Sequence, residues 1–169
     1  MSTTIRSLIH ANVRWLQQGL ALLARLDDRV YGTCPSGYAP HKAGGHLRHV
    51  LEFYECLLDG LQSGTHVNYD VRKRDLAIEA STVAAAARIS LTIARLHSLD
   101  GEDCRLLIHP EDSAGGMLVT SSLSRELMSL SSHTIHHYAL IGMTLRAHGV
   151  AIDPRFGMAP STLRHLEAA

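Results

Sequence analysis

Apolar residues recur at intervals of three and four along four long stretches of this chain, and that spacing narrows what it can fold into. Ile5, Leu8, Ile9, Val13, Leu16, Leu20, Leu23 and Leu26 form one stripe, between residues 4 and 28. Val50, Phe53, Leu57 and Leu61 form a second, between Lys42 and the Gly60–Gly64 turn, opposite a polar side of Arg48, Glu52, Glu55 and Asp59. The third stretch, Asp75 to Ser98, holds the run Val83-Ala-Ala-Ala-Ala, which forms helix readily and lets a neighbour approach closely. The fourth, Ser122 to His148, stops at Gly149, a residue suited to the left-handed turn that ends a helix. Helices with one apolar stripe each must bury those stripes against one another. The expected fold is therefore all-α, a four-helix bundle in a single domain over residues 1–169.

Two segments interrupt the pattern. The polar stretch from His66 to Leu76 reads as a long crossover between the second and third helices. Residues 104–120 contain the short apolar runs Arg105–His109 and Met117–Thr120, separated by a turn-rich Pro110–Gly116, which predicts a small β-hairpin before the fourth helix. After Gly149 the tail carries Pro154, Gly157 and Pro160, and no further helix is expected there.

Lys and Arg number 16 and so do Asp and Glu, leaving none of the surplus cations a nucleic-acid binder needs. No apolar run reaches the roughly 20 residues of a membrane span. The start lacks the layout of a signal peptide, and Cys34, Cys56 and Cys104 are scattered without a Cys-x-x-Cys pair. A reduced, cytoplasmic protein is the expectation.

Histidine is the outlier of the composition, 12 of 169 residues. The fourth stretch reads Leu130-Ser-Ser-His133-Thr-Ile-His136-His137. Each residue turns a helix by about 100°, so His133 and His137 differ by about 40° and stack one turn apart. With His133 at zero, Leu140, Leu130, Ile141 and Leu123 centre the core-facing side near about +40°, so both imidazoles are expected to point into the bundle. His136 falls at the edge. Two imidazoles at i and i+4 can chelate one ion, whereas without an ion several ring nitrogens would need partners in a dry interior. No His-Glu-x-x-His pattern is present, which excludes that peptidase arrangement. For a third ligand the second helix offers His46 and His49. Its apolar side slightly favours His46 as the inward residue, with His49 on the boundary. Three neutral imidazoles would leave positions open to water or substrate, the catalytic rather than the structural arrangement.

His49 followed by Val-Leu-Glu, together with His133-x-x-His136-His137, resembles the DinB/YfiT-like metal-binding bundles. The resemblance implies that His49, His133 and His137 hold a divalent metal ion, zinc or nickel, with His46 as the alternative to His49. It further implies a metal-dependent enzyme, such as a thiol S-transferase in which a low-molecular-weight thiol attacks an electrophilic small-molecule substrate, or a hydrolase that uses a metal-activated hydroxide. The alternative is a non-catalytic metal-binding or stress-response module. Members of the family commonly dimerise, so a homodimer is expected.

Several other residues stand out. Glu126 lies on the histidine side but about 10 Å along the axis, too far to ligate the same ion, which leaves a role beside the site. Arg72 or Arg74 of the crossover is a candidate for binding an anionic group, while Asp75 reads as a helix cap with Glu79 in the following turn. Tyr138 is expected to pack and Cys56 to be buried.

Overall fold

The computed structural model describes residues 3–37, 40–64, 66–99, 101–110 and 116–168. In chain order the elements are α1 (Thr3–Leu23), α2 (Asp28–Gly32), α3 (Ala43–Ser63), β1 (Val67–Asn68), α4 (Leu76–Ala80), α5 (Thr82–His97), β2 (Arg105–His109), β3 (Val119–Ser122), α6 (Leu123–Ala147) and α7 (Pro160–Ala168). The chain is predominantly α, with one small three-stranded sheet. Among the described residues no helix is long and apolar enough to cross a membrane.

The apolar stripes do what their spacing requires. α1 and α3 each pack on both α5 and α6, and the four long helices share one core. Ile5, Ile9 and Leu16 of α1, Leu51 and Leu57 of α3, Ile89 and Leu96 of α5, and Leu127 of α6 are all buried. A fully buried side chain of this size contributes about 1.5–3 kcal/mol relative to exposure. Trp15 ties α1 to α6 at the rim, its indole N–H donating to Ser131 Oγ at 2.9 Å.

The helix boundaries differ from expectation in three places. The first helix ends at Leu23 rather than near residue 28, because the Asp27 carboxylate accepts from the Val30 N–H at 2.8 Å and starts a separate short helix. The third stretch is broken at Ser81, which is extended (φ −128°, ψ 124°). Its hydroxyl caps α5 through the Ala84 N–H, while its own N–H closes α4 on the Ala77 carbonyl. The tail forms α7, a helix with no buried residue and hence no apolar stripe to announce it.

The sheet also adds to the expectation. β2 and β3 pair antiparallel, Arg105 opposite Ser122 and Ile108 opposite Val119, so the hairpin forms, but its second strand runs from Val119 to Ser122, past the expected end at residue 120. Most of its expected turn, residues 111–115, lies outside the described residues. The crossover contributes β1, which pairs parallel to β2 with Val67 opposite Ile108. β3 passes directly into α6, with the Ser122 hydroxyl capping the helix through the Arg125 N–H.

One close approach sets the geometry of the site. A Cβ at Gly44 would collide with the Glu79 carbonyl oxygen, so glycine lets the first turn of α3 lie directly on the end of α4. That contact brings the Glu79 carboxylate to Lys42 and Arg48.

Candidate metal centre

The buried residues of α6 centre on an arc about 50° from the expected one, set by Leu127, Thr134, Tyr138, Ile141 and Leu145. Tyr138 is drawn fully inside because its hydroxyl donates to the Trp15 carbonyl at 2.9 Å. His133 and His137 consequently sit half-buried at the border of the stripe rather than in its middle. This corrects the expectation that they point into the bundle interior. His49 and His46 are half-buried likewise on α3, which lies along α6.

His49, His133 and His137 converge, each offering one ring nitrogen, with these atoms all within 4.8 Å of one another. Nε2 of His49 and Nε2 of His133 stand 3.1 Å apart. Nitrogens that share a tetrahedral zinc at about 2.0–2.1 Å are separated by about 3.3 Å, so the spacing suits a common ion. Burial lowers the pKa of His49 and of His133 to about 4 and that of His137 to about 3, and neighbouring imidazoles push in the same direction. All three are therefore neutral at pH 7 and present lone pairs. His133 Nδ1 is buried without a hydrogen-bond partner, so the protein meets only one of this ring's two nitrogens, Nε2, through His49. The donor set fits a borderline divalent ion such as zinc or nickel.

His46, the alternative third ligand, lies beside the triad rather than within it. Its Nδ1 is 3.1 Å from Nδ1 of His137, and its ring stacks on His41 with centroids 5.6 Å apart. A ring that hydrogen-bonds the far nitrogen of a ligand fixes that ligand's orientation. His136 is exposed and meets His137 edge-on at 5.1 Å.

Arg72 of the crossover reaches the site. Its guanidinium lies 5.1 Å from the Phe53 ring centroid, and Nη1 is 3.3 Å from His49 Nδ1. Arg74 does not: it is exposed, in a left-handed conformation (φ 52°). Glu126 is buried away from the triad, accepting from Tyr69 Oη at 2.7 Å and from Ser121 Oγ at 2.5 Å. It reaches His133 through two aromatic rings, since Tyr69 stacks on Phe53 and Phe53 on His133. Cys56 is half-buried rather than buried, with its thiol pushed up to about 11 by that burial.

A cavity of about 350 Å³ opens beside the triad, bounded by His41, Lys42, His46, Arg48, Glu79 and His137. Glu79 there joins Lys42 and Arg48; burial alone would raise its pKa, but hydrogen bonds from both cations outweigh it and lower the pKa. Arg48 also binds Glu52 at 2.8 Å. The ionic wall was invisible in the sequence at Glu79, which meets α3 only through the fold. Phe53 was detectable, since it follows His49 by four residues and so shares its face. Lys42 and His41 carried no spacing signal.

No family model matches this chain, and no solved structure matches it. Over 108 residues, 61% of the chain, it is 34% identical to FK506-binding protein 5 of Rhizopus delemar. That stretch spans 28% of the length of the Rhizopus protein.

Proposed function

We propose that this chain is a DinB-like four-helix bundle that binds a divalent metal ion and uses it in transfer of a low-molecular-weight thiol to an electrophile. The observation that carries the reading is the convergence of three neutral imidazoles from α3 and α6, one with an orphaned buried nitrogen. His49, His133 and His137 hold the ion, zinc or nickel. When bound, such an ion supplies Lewis acidity that favours the thiolate form of a thiol at neutral pH. His46 orients His137, and Arg72 holds the outer edge of His49. The adjoining cavity favours an enzyme over a purely structural metal module, because it gives a small molecule access to the triad. Its paired Lys42, Arg48 and Glu79 offer both donors and an acceptor to a polar thiol. The resemblance also suggests a homodimer, for which Met128, 55% exposed on α6, is a candidate contact.

Elemental analysis of the purified protein tests the site, beside His49→Ala and His133→Ala. About one ion per chain, lost in both variants, supports it; no ion after reloading with zinc and nickel overturns it. Glutathione with 1-chloro-2,4-dinitrobenzene then tests the activity through formation of the thioether and release of chloride. Turnover that is the same with and without the ion would reject the metal-dependent transferase.

A further inference from the structure

A separate cavity, of about 190 Å³, lies between the C-terminal part of α1, with the turn after it, and the segment that follows α6. It shares no lining residue with the cavity beside the triad. The end of α6 that borders it is about 15 Å along the helix axis from His137. Its walls are tied down on several sides. Gly149 (φ 79°) ends α6: its N–H donates to the Arg146 carbonyl at 2.9 Å and the Val150 N–H to the Leu145 carbonyl at 3.0 Å, which turns the chain back toward α1. Gln18 Oε1 of α1 then accepts from the Gly157 N–H at 3.2 Å, and Phe156 stacks on Tyr138 with centroids 4.9 Å apart.

Leu22, Leu26, Val150, Ile152 and Phe156 make this cavity apolar. Only Phe156 is buried; the four aliphatic side chains keep part of their surface in reach of solvent. Apolar surface gathered in a concavity marks a binding site, where the same residues scattered singly would not. Two exposed charges line the same cavity, Arg25 and Asp153. Among the described residues the Arg25 guanidinium meets neither a carboxylate nor a carbonyl. Asp153 gives one oxygen to the Arg155 N–H at 2.8 Å and meets no cation, so the two opposite charges are not paired with each other.

We propose that this cavity binds an apolar α-amino acid, its side chain against Leu22, Leu26, Val150 and Ile152, its carboxylate accepting from Arg25 and its ammonium donating to Asp153. A carboxylate alone would face the charge of Asp153 and an amine alone that of Arg25, whereas the zwitterion meets each with its opposite. Arginine offers a carboxylate a fork of N–H donors, the stronger kind of hydrogen bond. The site does not rest on the metal reading, since none of its residues belongs to the triad or to the cavity beside it.

The test uses 4-fluoro-L-phenylalanine, titrated into the full chain and followed by fluorine NMR. Saturable binding is expected. Two analogues that each lack one charge, 3-(4-fluorophenyl)propanoate and 2-(4-fluorophenyl)ethylamine, should bind about tenfold or more weakly. Arg25→Gln and Asp153→Asn should each cost the amino acid about tenfold, and Ala21→Trp, at an exposed position on the wall, should abolish binding. His133→Ala should bind the probe as the parent chain does. No saturable binding, or equal binding of the amino acid and both analogues, overturns the proposal; the analogues need no variant to fold. A probe lost in His133→Ala but kept in Arg25→Gln and Asp153→Asn is held at the triad, and that result overturns it too.

Discussion

Two polar clusters lie between α3 and α6, less than two turns apart, and they are built in opposite ways. In the lower one, Tyr54 Oη donates to Asn12 Oδ1 at 2.7 Å, and the Thr134 hydroxyl lies 3.1 Å from Tyr54 Oη. Asn12 Nδ2 donates to the carbonyls of Leu8 and Leu127. Tyr54, Asn12 and Thr134 are wholly buried, and each has its partners within the protein. The upper cluster crowds imidazole against imidazole, half-buried, with an orphaned nitrogen and a cavity at its side. A polar group kept for stability is closed by its neighbours; a polar group kept for a ligand is left open toward one.

The sharpest way to break this contrast is to exchange the consequences. His133→Ala or His137→Ala should lower metal affinity about 100-fold or more, since loss of a ligand exceeds the 10–100-fold typical of its outer partners. Isothermal titration with zinc checks this, and unchanged affinity would erase the distinction. Tyr54→Phe should do the reverse. It leaves Asn12 Oδ1 short of a donor and lowers stability by about 1–3 kcal/mol, read from urea unfolding, while zinc affinity stays as in the parent chain.

An intermediate effect separates the clusters by pH. Unfolded imidazoles take up protons below about pH 6.5. The folded triad resists until about pH 4, and His137 until about pH 3. Between those limits the unfolded state binds more protons, so the metal-free protein is fully stabilised above pH 6.5 and loses that contribution as the pH falls toward 4. Urea midpoints at pH 7.5 and pH 5 should therefore differ, and the difference should shrink in His133→Ala. A smaller change is expected from His46→Ala, about tenfold in zinc affinity through looser His137, with His136→Ala smaller still. Equal losses in these two variants would show that His46 does not orient the ligand.

Much of this contrast could be read along the chain before any fold was known. The i, i+4 pair on α6 places two imidazoles together whatever the tertiary structure, and the four apolar stripes locate the long helices. The choice between His46 and His49 depends on how α3 is rotated against α6, which spacing leaves open. Ser81 is unremarkable inside a helical pattern; only its two hydrogen bonds make it a break. The two-residue strand β1 and the pairing of Glu79 with Lys42 are set by contacts between distant segments, so no local signal exists for them. The depth of the histidines depends on a related point: Leu127, Thr134, Tyr138 and Leu145 are buried together, so α6 is turned toward their arc rather than the one that Leu130 and Leu140 suggest.

That rotation has a consequence for how the protein would come to hold an ion at all. With the imidazoles on the border of the stripe, the apolar core of Leu127, Leu51 and Tyr54 is built from side chains other than the proposed ligands. On the proposed reading, folding and loading would be separate events, the ion entering a site already shaped by the fold and drawn from whatever supply its surroundings offer. A site of three neutral nitrogens follows the general order of affinities, binding nickel and zinc above iron or manganese and copper above all. The resident metal would accordingly record the free-metal supply of its compartment as much as the design of the protein.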